Sequence, residues 1–318
     1  MLLFDPPVSH AALLLLALSL DGVLGEPAWL WSRLPHPAVL LGRAVAALDL
    51  RINRGAARRA RGVLAAALLA GGAMLLGWAL ARLGPGVEVL VLAILLAQKS
   101  LVQHVRAVAG ALRVSLAEGR VAVARIVSRD VREMTAPQVA RAAIESGAEN
   151  LSDGVLAPAF WFLLGGLPGL LLYKAINTAD SMIGHRSERY EDFGRAAAKL
   201  DDAVNLPGSR LSGVLLVCAA GLTGGASAPR AWRTMCRDAA KHASPNAGYP
   251  EAAMAGALGV ALGGPRTYAG SQFVGTWLGD GRRDAAAKDI RAALRLYATA
   301  DALLVAAVAI IAAITATM

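Results

Sequence analysis

The sequence predicts an all-α polytopic integral membrane protein, with several transmembrane or re-entrant helices and amphipathic helices on the cytoplasmic side. Three observations carry this. Charged residues make up 17% of the 318, where a soluble domain carries roughly 25%. Apolar residues reach 56%, and the mean hydropathy is +0.50. The apolar residues are also gathered into uncharged runs: Gly62 to Ala81, Val89 to Gln98, Gly154 to Tyr173, Leu211 to Pro229, Ala252 to Pro265 and Ala302 to Met318. Several of these approach the roughly 20 residues that a helix needs to cross a hydrocarbon core. The chain reads as one helical membrane domain, 1–318.

In chain order, the run from Pro6 to Leu20 has no basic leader and is expected to be a first membrane helix. All the later runs are expected to be helical, because Ala and Leu dominate and strict alternation is absent. Gly84, Pro85 and Gly86 break the chain between helices over 62–81 and about 87–104, an antiparallel hairpin. Thr135 with Gln138 three residues on is a capping box, and Pro137 sits in the first turn, so a helix starts there and runs towards Asn150. The run from Gly154 to Tyr173 is interrupted by Gly165, Gly166, Pro168 and Gly169, and that from Leu211 to Pro229 by Gly221, Gly224 and Gly225. Each is expected to break into two limbs of roughly 10 residues that re-enter and return to their starting side. Pro250 starts another helix. Cys218 and Cys236 are too few for a disulfide framework or a four-ligand metal site.

The net charge of +9 and pI near 10.1 come from basic residues in the links between runs. That distribution suits the positive-inside bias, not nucleic-acid binding. It places the polar segments 99–153, 174–210, 230–251 and 266–301 on the cytoplasmic side. Arg230, Arg233, Arg237 and Lys241 recur at helical spacing. They form a basic stripe for anionic lipid headgroups or for a large anionic substrate.

Three polar groups stand out. Arg141, Glu145 and Glu149 fall four apart, so they share a helix face, and Asn150, Ser152 and Asp153 follow directly. Beyond the next apolar run come Lys174, Asn177, Asp180 and Ser181, then Lys199, Asp201, Asp202 and Asn205. Plain spans need only snorkelling charges at their ends, whereas these groups are rich in hard oxygen ligands. Mg²⁺ is commonly held by one or two carboxylates together with substrate phosphates, whose remaining charge Lys and Arg neutralise. No P-loop or Rossmann glycine motif is present. The five histidines lack metal spacing, and His36 between Pro35 and Pro37 reads as a rigid turn residue.

The stretches AIESGAENLSDGVLAPAFW (143–161), GGLPGLLLYKAINTADSMIG (165–184), YEDFG (190–194), KLDDAVN (199–205) and SPNAGYPEAAMAGAL (244–258), with DGVLGEP (21–27) and HPAVLLG (36–42), closely resemble the membrane-bound adenosylcobinamide-phosphate synthase family of cobalamin biosynthesis. The resemblance covers Asp21 to about Gly270. It departs from the family pattern at Glu26, Ala179, His185 and Tyr249, and at Leu206, Pro207 and Gly208 before Arg210.

The resemblance implies an ATP- and Mg²⁺-dependent acid–amine ligase of the cytoplasmic (inner) membrane, with its active site facing the cytoplasm. Such an enzyme joins a carboxylate of a corrinoid, adenosylcobyric acid, to aminopropanol or aminopropanol phosphate. On this reading Glu145, Glu149, Asp153, Asp180, Asp201 and Asp202 are the metal or base candidates, with Glu149, Asp180 and Asp202 foremost for the metal. Lys174, Asn177, Arg186, Lys199, Asn205 and Arg210 are the nucleotide candidates, and Asn150, Ser244, Asn246 and Tyr249 the substrate contacts. Trp161 and Tyr173 are candidates for the flat corrin ring. Membrane lipid is the expected surrounding and a homo-oligomer is left open. The alternatives are a transporter of an anionic substrate and an Mg²⁺-dependent prenyl transferase. Against the second, Asn177 and Asp180 are three apart, not in an NxxxD arrangement; against the first, no matching pair of broken helices marks two halves.

Overall fold

The structure, a computed structural model, describes residues 7–268, 271–273 and 275–317. The helices are α1 (Pro7–Leu24), α2 (Ala28–Trp31), α3 (Pro37–Ile52), α4 (Arg58–Ala81), α5 (Pro85–Leu95), α6 (Gln98–Val114), α7 (Leu116–Val123), α8 (Ala136–Leu151), α9 (Ala157–Ile183), α10 (Arg195–Leu222), α11 (Ala228–Asp238), α12 (Gly248–Leu258) and α13 (Ala287–Ala316). A π turn over Ser152–Leu156 joins α8 to α9. Four short strands, β1 (Leu262–Gly263), β2 (Arg266–Tyr268), β3 (Ser271–Phe273) and β4 (Trp277–Leu278), pair antiparallel as β1 with β4 and β2 with β3.

This is an all-α polytopic membrane protein. Among the described residues five helical stretches are long and apolar enough to cross a membrane: Arg58–Ala81, Pro85–Val114, Ala136–Ile183, Arg195–Leu222 and Ala287–Ala316. The apolar part of α1, His10–Leu24, is shorter. Helix α4 shows how such a stretch packs. Apart from Leu69, its buried side is made of small residues (Gly62, Ala65, Ala66, Ala73, Gly77), and Leu64, Leu68, Leu75 and Leu76 are exposed. Small residues let backbones approach where lipid is as apolar as the side chains.

The chain packs as two compact units, each discontinuous in sequence: Met1–Ala97 with Ala157–Pro207 and Ala307–Met318, and Gln98–Leu156 with Gly208–Ala306. In the first unit the chain reverses inside α9. Gly166 takes φ 56, ψ −150, a conformation closed to residues with a Cβ, and a Cβ on Gly169 would strike the Trp161 carbonyl. The limbs therefore fold back on each other. The Trp161 indole donates to the Val204 carbonyl at 2.8 Å and the Tyr173 hydroxyl to Asn205 at 2.8 Å, so residues on opposite limbs reach neighbouring residues of α10. The expected break at Gly165–Gly166 is present.

The reversal leaves helix-end carbonyls without an intrahelical partner in an apolar setting, which costs free energy unless they are met. His10 of α1 meets one: its Nδ1 lies 3.2 Å from the Leu163 carbonyl, with the ring packed on Phe162. Gly77 of α4 sits against the bend itself, where a Cβ would come within 2.6 Å of the Leu167 carbonyl and the Pro168 nitrogen.

Other expectations meet mixed outcomes. The capping box at Thr135 and Gln138 is formed and α8 follows it. The hairpin turn at Gly84 is present, but its second arm is two helices, α5 and α6, parted at the extended Leu96. The second expected re-entrant break is absent: α10 runs unbroken through Pro207 and Gly221 to Leu222, and Gly225 at φ 83 serves a turn before α11. The run from Ala252 to Pro265 is helical only to Leu258, because Gly259 ends α12 in the left-handed conformation and β1 follows.

In the second unit α8 is the buried element. The Tyr297 hydroxyl of α13 donates to the Ile144 carbonyl at 2.9 Å, and Gly147 leaves room for that ring. The guanidinium groups of Arg141 and Arg283 both lie over the Trp277 ring of β4, at 4.8 and 4.5 Å from its centroid. Cys218 and Cys236 are free and exposed.

Candidate active site

The first unit brings two of the three polar groups together. Asn177 and Asp180 lie on the returning limb of α9, on the same face as Tyr173 by helical spacing, while Asp201, Asp202 and Asn205 lie near the start of α10. The Asn177 amide donates to Asp201 Oδ1 at 3.2 Å, and Asn205 also bonds Asp201. Asn205 is buried and accepts from the Tyr173 hydroxyl. Asp180, Asp201 and Asp202 are electrostatic neighbours of one another, and His185 is a further neighbour of Asp180. Lys199 and Arg186 are exposed nearby in sequence, and Lys174 stands over the Tyr173 ring. Like charges held together call for a counter-cation or for shared protons. Buried Tyr173 is spent on Asn205 and is not a ring contact for a flat substrate.

His36 caps α3, accepting from the Ala38 N–H at 3.1 Å and packing edge-on against Trp31. Burial pushes its pKa down, and the Lys174 charge acts in the same direction against the opposing pull of Glu26 and the Ile94 backbone. It is the turn residue expected from its flanking prolines.

The second unit holds the remaining candidates. Glu145 is 4% exposed and bound on both oxygens, by Arg129 at 2.7 Å and by the Gly263 N–H at 2.6 Å. Arg141 donates to the Arg283 carbonyl. Glu149 and Asn150 are exposed, and Asp153 lies in the π turn, a feature frequent at functional sites. Arg210, Asn246 and Tyr249 form a second polar cluster: the Arg210 guanidinium stacks 4.2 Å from the Tyr249 ring and donates to Asn246 Oδ1 at 2.7 Å. Ser209 donates to the same oxygen, and Ser244 Oγ accepts from the Asn246 N–H.

The basic stripe on α11 is partly neutralised. Arg237 and Lys241 both bind the buried Asp238, at 2.7 and 2.6 Å, and Arg237 reaches Asp280 as well. The Arg237 guanidinium, against the opposing effect of burial, together with Lys241 and the Gly279 N–H, holds the Asp238 carboxyl well below the usual range. Asp238 thus fastens the turn before Arg282 to α11, while Arg230 donates to the Gly256 carbonyl of α12 and Arg233 to the Pro229 carbonyl, each at 3.2 Å, beside exposed Trp232.

Among the described residues no group of three or more His, Cys, Asp or Glu side chains is arranged to hold a metal ion by itself. The donor chemistry of Asp180, Asp201 and Asp202 nonetheless fits Mg²⁺, which needs only one or two carboxylates when substrate phosphates complete its shell.

The comparisons with known proteins bear on what such a site serves. The family model for CobD/Cbib protein matches residues 14–297. The chain belongs to this family. Among similar curated proteins, each named cobalamin biosynthesis protein CobD, that of Rhizobium meliloti (strain 1021) is 52% identical over 90% of this chain and 91% of its own length. Those of Brucella suis biovar 1 (strain 1330) and Rhodobacter capsulatus are 51% and 44% identical, covering 89% and 93% of this chain and 90% and 95% of their own lengths. No solved structure matches the chain. The matched span includes every site residue considered above. Sequence reasoning passed over Asp49, since a lone acid in an apolar helix carries no spacing signal.

Proposed function

We propose that the chain is an ATP-dependent acid–amine ligase that joins a carboxylate of adenosylcobyric acid to aminopropanol or aminopropanol phosphate. Its family and curated relatives give it a role in cobalamin biosynthesis, and a corrinoid as substrate class. The observation that carries the finer reading is the gathering of Asp180, Asp201 and Asp202 beside the carboxamides of Asn177 and Asn205.

The chemistry follows from the difficulty of the reaction. A carboxylate does not condense with an amine near neutral pH because oxide is a poor leaving group. Attack of a corrinoid carboxylate oxygen on the γ-phosphorus of ATP expels ADP and leaves an acyl phosphate. The neutral amine nitrogen then attacks the acyl carbon, phosphate departs with the C–O electron pair, and a base takes the amine proton. Asp180 and Asp202 would hold Mg²⁺, which supplies charge neutralisation at the phosphates. Lys174, Lys199 and Arg186 would bind phosphate oxygens. Asp201, held by Asn177 and Asn205, would accept the amine proton.

Use of cytoplasmic ATP places this site on the cytoplasmic side of the inner membrane, in keeping with the Arg-rich links. Purified protein with ATP, Mg²⁺, adenosylcobyric acid and each amine in turn should give the amide product by mass spectrometry, with ADP formed only when acid and amine are both present. Flux into sealed vesicles without covalent change would refute the ligase. Single cysteines at the exposed positions Asn150 and Ser181, with Cys218 and Cys236 replaced, should both react with an impermeant thiol reagent from the cytoplasmic side. Labelling of the two from opposite sides would refute the proposed sidedness.

A further inference from the structure

The first unit holds another buried acid, Asp49, on α3. Its carboxylate accepts from Asn53 Nδ2 at 2.7 Å, Arg189 Nη2 at 2.7 Å and the Tyr190 hydroxyl at 3.2 Å, and Asn53 also donates to the Arg189 carbonyl at 3.3 Å. Burial alone would raise its pKa, but the bonds from Arg189, Asn53 and Tyr190 outweigh it and hold the carboxyl below its ordinary value. Arg189 and Tyr190 belong to the loop 184–194, which joins α9 to α10 and therefore connects the elements that carry Asp180 and Asp201.

From Tyr190 the contacts lead back to the carboxylate cluster. Its ring meets that of His185 edge-on, with centroids 4.9 Å apart, and His185 is an electrostatic neighbour of Asp180. The Gly184 N–H donates to the Asp180 carbonyl at 2.7 Å, and a Cβ at Gly184 would collide with the Asp180 carboxylate. Cohesion of the loop is already supplied by Phe193, buried with Val45, Ala65, Leu69, Ala179, Ile183 and Ala197. Arg189 is 54% exposed, so its pair with Asp49 adds little stability, and its use is to specify one arrangement of the loop.

The structure assigns to Asp49 the role of a positioning residue for the Asp180–Asp201 site: through Arg189 and Tyr190 it fixes the loop 184–194, and with it His185 beside Asp180. The assignment rests on the ligase reading, and its test separates the two. In full-length protein with Cys218 and Cys236 replaced by Ala, Asp49→Ala should raise the KM for ATP about tenfold, as loss of an outer partner of a metal or phosphate site does, with kcat and melting temperature little changed. Tyr190→Phe should move KM the same way by less, and Asp49→Asn, which keeps an acceptor oxygen, should restore part of the loss. A cysteine at Ser187 should react faster with a thiol reagent in the Asp49→Ala background, whether or not the protein ligates. Unchanged KM in both Asp49→Ala and Tyr190→Phe, or unchanged Ser187→Cys labelling, would overturn the assignment. So would a fall in kcat and melting temperature with KM constant, which marks a purely structural role. If the parent protein forms no product, the ligase reading fails, and the labelling rates alone still decide whether Asp49 holds the loop.

Discussion

Acidic side chains in the two units have opposite surroundings. In the second unit Glu145 and Asp238 are buried and saturated, each held by a guanidinium and a backbone N–H, with Lys241 added at Asp238. In the first unit Asp180, Asp201 and Asp202 neighbour one another, and the neutral amides of Asn177 and Asn205 are the hydrogen-bond partners of Asp201. The first arrangement sets cations and a backbone N–H against each acid; the second gathers like charges at one place. Burial of an acid is therefore a poor guide to function, and the sign of its neighbours is a better one. Asp49 is an instructive intermediate: met by a guanidinium as Glu145 is, it fastens the loop beside the clustered acids.

The sharpest way to break this comparison is to remove one acid of each kind. Asp201→Ala should lower kcat about 10³-fold, the scale of losing a group that acts in the transition state, with the melting temperature unchanged. Glu145→Ala should instead lower the melting temperature and leave the KM for each substrate in place. If Glu145→Ala abolishes turnover in a protein that still melts normally, the division between cation-paired and clustered acids is wrong.

A mutation at the helix reversal tests whether the first unit's site depends on it. Gly77→Val would push a side chain into the Leu167–Pro168 backbone and should destabilise by roughly 1–3 kcal/mol, read as earlier thermal aggregation in detergent. Retention of full stability would mean that α4 and the bend can move apart freely.

Asp238→Ala removes an acceptor from Lys241, from Arg237, which keeps Asp280, and from the part-buried Gly279 N–H. The cost of about 3–5 kcal/mol for breaking a fully buried pair shrinks, with both cations half-exposed, to about 1–2 kcal/mol. A thermal shift with unaltered ligation kinetics is expected.

The smallest effect is a pH dependence. Asp238 has a folded pKa below its unfolded one, so its contribution is present above the ordinary carboxylate range near 4 and is lost as pH falls through the depressed value. The groups facing it are Arg237, Lys241, Asp280 and the Gly279 N–H. Between pH 7 and 3 the melting temperature of Asp238→Asn should fall less steeply than that of the parent protein. Parallel curves would show that Asp238 gains nothing from its cations.

Much of the site's inventory was legible before any coordinates. Asn177, Asp180, Asp201 and Asn205 announce themselves as polar residues at the edges of apolar runs, and helical spacing already puts Asp201 and Asn205 on one face. Their union across 24 residues, through Asn177 and Asp201, was only an expectation. The stripe on α11 shows the limit of spacing: it gave the face correctly and missed Asp238, the acid that takes up half of the charge.

The sequence by itself determined what depends on near neighbours and on composition. The membrane class follows from long uncharged runs, α8 from its capping box, and the reversal in α9 from a Gly-Gly-Leu-Pro-Gly segment that few helices could continue through. Tertiary structure decided what depends on partners far away in the chain: Glu145 bound to a backbone N–H 118 residues on, Asp49 bound to Arg189 140 residues on, and α10 continuing through glycines that on their own favour a break. Local propensity spans a few residues and a few tenths of a kcal/mol at each, whereas these long-range bonds form only once the helices are packed, and they settle which charges are spent on structure.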